Sequence, residues 1–88
     1  MKLSKAQKHV LRTMWQHKLL ISLSVQLGEY WEARWVGPKP RQPRITPDPN
    51  VKILRALERK GLLKCERYHS HSYCLDFNHK GREIAREL

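Results

Sequence analysis

The sequence predicts a small α+β domain of three helices and two β-hairpins. Three segments repeat apolar residues at helical spacing behind capping residues, and two others alternate apolar and polar residues with period two. At 88 residues there is room for one small core and not two. Hydrophobic residues make up 40% of the chain, which argues against wholesale disorder.

Residues 4–17 read as an amphipathic helix. Ser4 and Gln7 have capping-box spacing, and Val10, Leu11 and Met14 recur on one face. Leu3 and Trp15 flank that stripe, while Lys5, Lys8 and Arg12 take the opposite side. From Leu19 the period changes: Leu19, Ile21, Leu23, Val25 and Leu27 alternate with mostly polar neighbours, the pattern of a half-buried strand. Leu20, Leu23 and Leu27 also fit helical spacing, so a helix over 19–36 stays open. The serine and β-branched content favours strand. Trp31, Ala33 and Trp35 continue the alternation past Gly28, which marks the turn of a first hairpin.

Residues 37–44 form a basic, proline-rich loop carrying Lys39, Arg41 and Arg44. Thr46-Pro47 and Asp48-Pro49 then open a helix that runs from about Asp48 to Lys60, buries Val51, Ile53, Leu54 and Leu57, and stops at Gly61. Leu62–Arg67 and Ser72–Phe77 read as the strands of a second hairpin. Asn78 caps a last helix with Ile84, Ala85 and Leu88 inward. All 88 residues are expected in a single domain.

Lys and Arg number 18 against 8 Asp and Glu, a formal net charge of +10, so the expected partner is anionic. No apolar run approaches the ~18–20 residues that span a bilayer, and no membrane partner is expected. The N-terminus carries no apolar secretory core, which points to the cytoplasm. Catalysis finds no support: there is no Gly-rich phosphate loop, no HExxH and no nucleophile elbow, and Asp48, Glu58, Glu66 and Asp76 are scattered. The expectation is a non-enzymatic protein with no cofactor and no small-molecule substrate.

Cys65, His69, His71 and Cys74 bring zinc-binding residue types into one hairpin, but their spacing matches no finger or ribbon. Strand register argues the same way. Pairing Cys65 with Leu75 sets Leu63 opposite Phe77 and turns Cys74 to the other face. Cys65 is expected in the core and Cys74 exposed, with neither disulfide nor metal. His9, His17 and His79 read as surface residues.

The helix from Asp48 is the candidate reading element. Lys52, Arg55 and Arg59 share the face opposite Leu54 and Leu57, and Asn50 sits near the exposed start. An α-helix fits the major groove, where Arg pairs with guanine and Asn with adenine. Lys39, Arg41 and Arg44 of the loop suit a phosphate backbone or a minor groove. Trp15, Trp31 and Trp35, with Tyr30, are expected chiefly as core volume. An exposed Trp31 or Trp35 would instead anchor a protein partner.

The stretch from Ile45 to Leu88 resembles the second half of a winged helix-turn-helix DNA-binding domain. The resemblance rests on a helix leading into Lys60-Gly61-Leu62-Leu63, a hairpin wing, and a strand ending at Phe77 before Asn78-His79-Lys80-Gly81-Arg82. Leu3-Ser4-Lys5 through Trp15 is similar to the first helix of that family. The implied protein is a small winged-helix domain, with an additional central hairpin where the family usually has a second helix. The resemblance implies that helix 48–60 docks in the major groove of double-stranded DNA, with the wing residues Arg67, His69 and His71 on the same flank. It implies a small transcriptional regulator of the size seen in phages and mobile elements. The alternative is a winged-helix protein-interaction module, such as a small mobile-element inhibitor that blocks the nucleic-acid path of a larger host nucleoprotein complex. A homodimer would need the central hairpin or the terminal helices.

Overall fold

In the computed structural model, residues 2–37, 47–69 and 72–88 are described, the side chains of 67–69 and 72 excepted. The elements run α1 (Lys5–His17), β1 (Leu20–Gln26), β2 (Glu29–Val36), α2 (Val51–Arg59), β3 (Leu63–His69), β4 (Ser72–Phe77) and α3 (His79–Glu87). This is a small α+β domain of three helices and one four-stranded antiparallel sheet. Residues 20–26 and 29–36 are strands, so the helical alternative falls.

The two hairpins form one sheet, in the order β2-β1-β4-β3, because β1 pairs with β4 as well as with β2. In that register Ile21 and Leu23 of β1 lie beside Leu75 and Tyr73 of β4 on one side, and beside Trp35 and Ala33 of β2 on the other. Leu63 and Cys65 of β3 continue the row opposite Phe77 and Leu75, as the sequence register predicts. Val10, Leu11 and Met14 of α1, Leu54 and Leu57 of α2 and Ala85 of α3 share one core cluster with the inward residues of this row. All three helices therefore cover the same face. The opposite face carries Leu20, Ser22, Ser24, Glu32, Arg34, Lys64 and Glu66, all exposed.

Local chemistry sets the helix ends. Ser4 and Gln7 form the capping box, with Ser4 Oγ accepting from Gln7 N at 3.1 Å and Gln7 Oε1 from Ser4 N at 3.0 Å. Helix α2 begins at Val51, later than the proline pattern suggests. Its cap is Asn50 and not Asp48, since Asn50 Oδ1 reaches the N–H groups of Lys52 (2.8 Å) and Ile53 (3.4 Å). A start at Asp48 would have left Asn50, a poor helix former, inside the first turn. The chain leaves α2 through Gly61 (φ 76), whose N–H donates to Glu58 O.

Several side chains sit elsewhere than expected. Cys65 faces the helix layer but lies on the edge strand β3 and is exposed. Cys74, on the central strand β4, is half-buried between neighbours. Partial burial pushes both thiols above the ordinary cysteine value. The register turns the two cysteines to opposite faces, so they cannot share a metal ion. Leu27 lies in the turn and is fully exposed, and Leu88 is exposed past the last turn of α3.

Helix α3 is joined to the end of α2 by one residue. Asn78 Oδ1 caps Gly81 N (2.9 Å), its Nδ2 donates to Gly61 O, and its own N–H donates to Leu62 O. The close approach this requires explains Gly81: a Cβ there would lie far inside van der Waals contact distance of the Leu62 carbonyl oxygen. Around Gly28 (φ 78), by contrast, nothing lies close to where a Cβ would be. In urea unfolding, Gly81→Ala is expected to cost about 3 kcal/mol or more, through overpacking against backbone. Gly28→Ala is expected to cost only about 1 kcal/mol, through its left-handed φ. Equal losses would remove the steric account of Gly81.

Candidate nucleic-acid interface

The exposed side of α2 follows from its buried side. Leu54 and Leu57 face the core, so at 100° per residue Lys52 and Arg59 point directly away from it, and both are exposed. Arg55 lies at the margin of that face and is half-buried. Its guanidinium carbon sits 5.0 Å from the centroid of the Tyr30 ring, a cation–π contact. Tyr30 comes from β2, and its hydroxyl donates to both carboxylate oxygens of Glu58, at 2.8 and 2.6 Å. This ring and carboxylate clamp the first hairpin to α2 and set the direction of Arg55. Burial, then the Glu58 hydrogen bond, raises the Tyr30 pKa far above the ordinary tyrosine value.

Asn50 is exposed, but its Oδ1 is committed to capping α2. A bidentate adenine pair needs that same oxygen together with the amide nitrogen, so reading adenine would cost the cap. Asn50 therefore belongs to the helix start. Lys39, Arg41, Arg44 and His71 lie outside the described residues. Arg67 and His69 belong to the β3 backbone, and nothing is described of their side chains.

Helix α1 supplies cations that the sequence reading placed on its polar side without counting them as nucleic-acid contacts. Lys5, Lys8 and Arg12 are exposed on the face opposite Leu11 and Met14. The start of α1 meets the end of α2 where Lys60 Nζ donates to Lys2 O and to Gln7 Oε1, both at 2.9 Å. Lys18, Lys80, Arg82 and Arg86 add exposed cations around α1 and α3. Against them the helices carry only Glu58, Glu83 and Glu87. Glu58 is held by Tyr30, and Glu83 lies 3.0 Å from His79 Nε2. The strands hold Arg34, Lys64 and Arg67 against Glu29, Glu32, Glu66 and Asp76, close to balance. Arg34–Glu32 (2.7 Å) and Lys64–Glu66 (3.0 Å) pair along their own strands. The positive excess therefore resides on the helix side of the described molecule. The signal was available in the sequence as the i, i+3, i+7 spacing of Lys5, Lys8 and Arg12.

The tryptophans divide. Trp35 is half-buried against the core, and its Nε1 donates to Pro47 O at 3.0 Å, tying β2 to the approach to α2. Trp15 packs edge-on to Phe77 and is partly exposed. Trp31 is 70% exposed and does not serve the core. The reason is a β-bulge: Ser24 pairs with Glu32 and Val25 with Tyr30, which leaves Trp31 unpaired between them.

The chain matches no protein-family model, no curated protein and no solved structure. Among the described residues no helix is long and apolar enough to cross a membrane.

Replacing Tyr30 by Phe removes the donor from a half-buried carboxylate and is expected to cost about 1–2 kcal/mol in denaturant unfolding. The pH dependence has a definite sign. Unfolded Tyr30 ionises near pH 10, whereas folded Tyr30 keeps its proton, so wild-type stability falls as pH rises beyond that value. Tyr30→Phe should show a shallower alkaline loss. An identical alkaline profile in the two proteins would contradict this placement of the hydroxyl.

Proposed function

We propose that this protein binds double-stranded DNA, non-enzymatically, through the helix side of the sheet, with α2 as the element that enters the major groove. The observation that carries the reading is the segregation of charge. Lys5, Lys8, Arg12, Lys52 and Arg59 all point outward from two adjoining helices, while the strands are near neutrality. A charge run on one helix is ordinarily a solvated face. Two such rows on adjoining helices offer more phosphate contacts than one.

In this reading Lys52 and the α1 row neutralise phosphates, and Arg59 is the side chain free to pair with a guanine edge. Arg55, laid along Tyr30, contacts backbone or base from the margin of the helix. The order of elements supports the winged-helix resemblance: β1 lies beside β4, and α2 leads directly into the β3–β4 hairpin. Strand β2 stands where that family usually has its second helix. A role in transcriptional regulation, as the resemblance implies, belongs to the same proposal.

The exposure of Trp31 favours a second reading, in which the β1–β2 hairpin grips a protein partner and the charge serves an acidic protein surface. The two part on one measurement, the salt-titrated affinity for mixed duplex fragments. For DNA binding, affinity falls steeply with salt, Lys52→Ala lowers the slope by about one, and Arg59→Ala costs about 1–3 kcal/mol and relaxes sequence preference. Trp31→Ala leaves all of these unchanged. Duplex affinity that is unaffected in the Lys52→Ala/Arg59→Ala double variant would take α2 out of the groove.

A further inference from the structure

We propose that copies of this chain associate head to tail, with the Leu27–Gly28 turn of one copy seated in the groove between α1 and the β4–α3 corner of the next. Two features that the nucleic-acid reading does not use are complementary in shape and charge. The first is the turn itself. Leu27 (φ 52) and Gly28 (φ 78) are the two left-handed residues of a two-residue hairpin turn. Asn, Asp or Gly ordinarily fills the first of these positions. A leucine there is strained, and because it is fully exposed it recovers nothing from burial within its own chain. Trp31 stands exposed on the same hairpin; the exposed carboxylate of Glu29 directly follows the turn, while that of Glu32 pairs with Arg34. The turn thus projects an apolar side chain beside a carboxylate, on an otherwise basic protein.

The second feature is a groove of about 370 Å³ at the other end of β1. Met14, Leu19 and Phe77 form its apolar floor, Trp15 and Leu20 its walls, and Lys18 and Arg82 stand at its rim. Its one lining carboxylate, Asp76, already accepts the Phe77 N–H at 2.7 Å. The volume falls within the range that takes an anchoring side chain together with part of its turn. The cationic rim suits Glu29 beside the turn. Turn and groove are separated by the length of β1, about 20 Å, so no chain can fill its own groove. The contact is therefore heterologous and passes from copy to copy. Lys5, Lys8, Arg12, Lys52 and Arg59 do not line the groove.

The contact is small, and the charge of +10 on each copy opposes it, so association is weak and needs screening. The test is heteronuclear NMR of the full chain at about 0.15 M salt, from micromolar to millimolar concentration, without nucleic acid. Amide shifts of Leu27–Gly28 and of Lys18–Leu20 with Arg82 are expected to move together as concentration rises. Leu27→Asn, which suits a left-handed φ, should keep the fold and abolish both sets of shifts. Leu20→Glu, or Arg82→Glu on the exposed rim, closes the groove and leaves the turn intact. Unlabelled groove variant added to labelled Leu27→Asn should then move the groove amides alone and stop at one-to-one pairs. Shifts absent at every concentration, shifts that persist in Leu27→Asn, or a mixture with no effect on the groove would each overturn the proposal. Because no DNA is present, such a failure leaves the DNA reading standing.

Discussion

The pairing of β1 with β4 is the contact on which the rest of the molecule depends. Each hairpin alone would be a two-stranded ribbon with one apolar side and too little area to be stable in water. Joined through Ile21–Leu75 and Leu23–Tyr73, they present one continuous apolar row across four strands. That row is wide enough for three helices to share, and all three pack on it. The other face needs no cover because it alternates to serine, charged residues and a few small apolar groups.

A consequence of one-sided covering is one-sided charge. A helix that buries a stripe must put its polar residues on the far side, and here those residues are mostly lysine and arginine. Three helices on one face of the sheet therefore add their cationic sides instead of opposing them. The strands contribute nearly balanced charges that pair locally along Arg34–Glu32 and Lys64–Glu66. Exposed pairs of this kind stabilise by no more than about 1 kcal/mol each. Their effect is to keep the open face close to neutral.

The first hairpin is held to the helices by polar contacts placed at both ends of β2. Trp35 donates to Pro47 O near one end, and Tyr30 donates to Glu58 near the other, with Arg55 over its ring. These contacts fix β2 beside α2. The same hairpin carries the bulge that expels Trp31 and the strained turn that exposes Leu27. Its inner side thus stabilises the fold, while its outer side and tip leave Trp31 and Leu27 exposed.

The sequence alone determined the local structure. The Ser4/Gln7 capping box, the period change at Leu19, the stop at Gly61 and the Asn78 cap are set by residues within a few positions of one another, and each appears where the pattern places it. The β3–β4 register was legible too, because a slip by one residue would have sent Leu75 to solvent. The start of α2 was not, since Asp48-Pro49 and Asn50 offer competing caps and only hydrogen-bond reach decides between them. Tertiary structure alone decided the joining of the hairpins, the exposure of Cys65 on an edge strand, the bulge that exposes Trp31 and the stacking of Arg55 on Tyr30. It also set α1 beside α2, because which helices become neighbours depends on contacts between residues far apart in the chain.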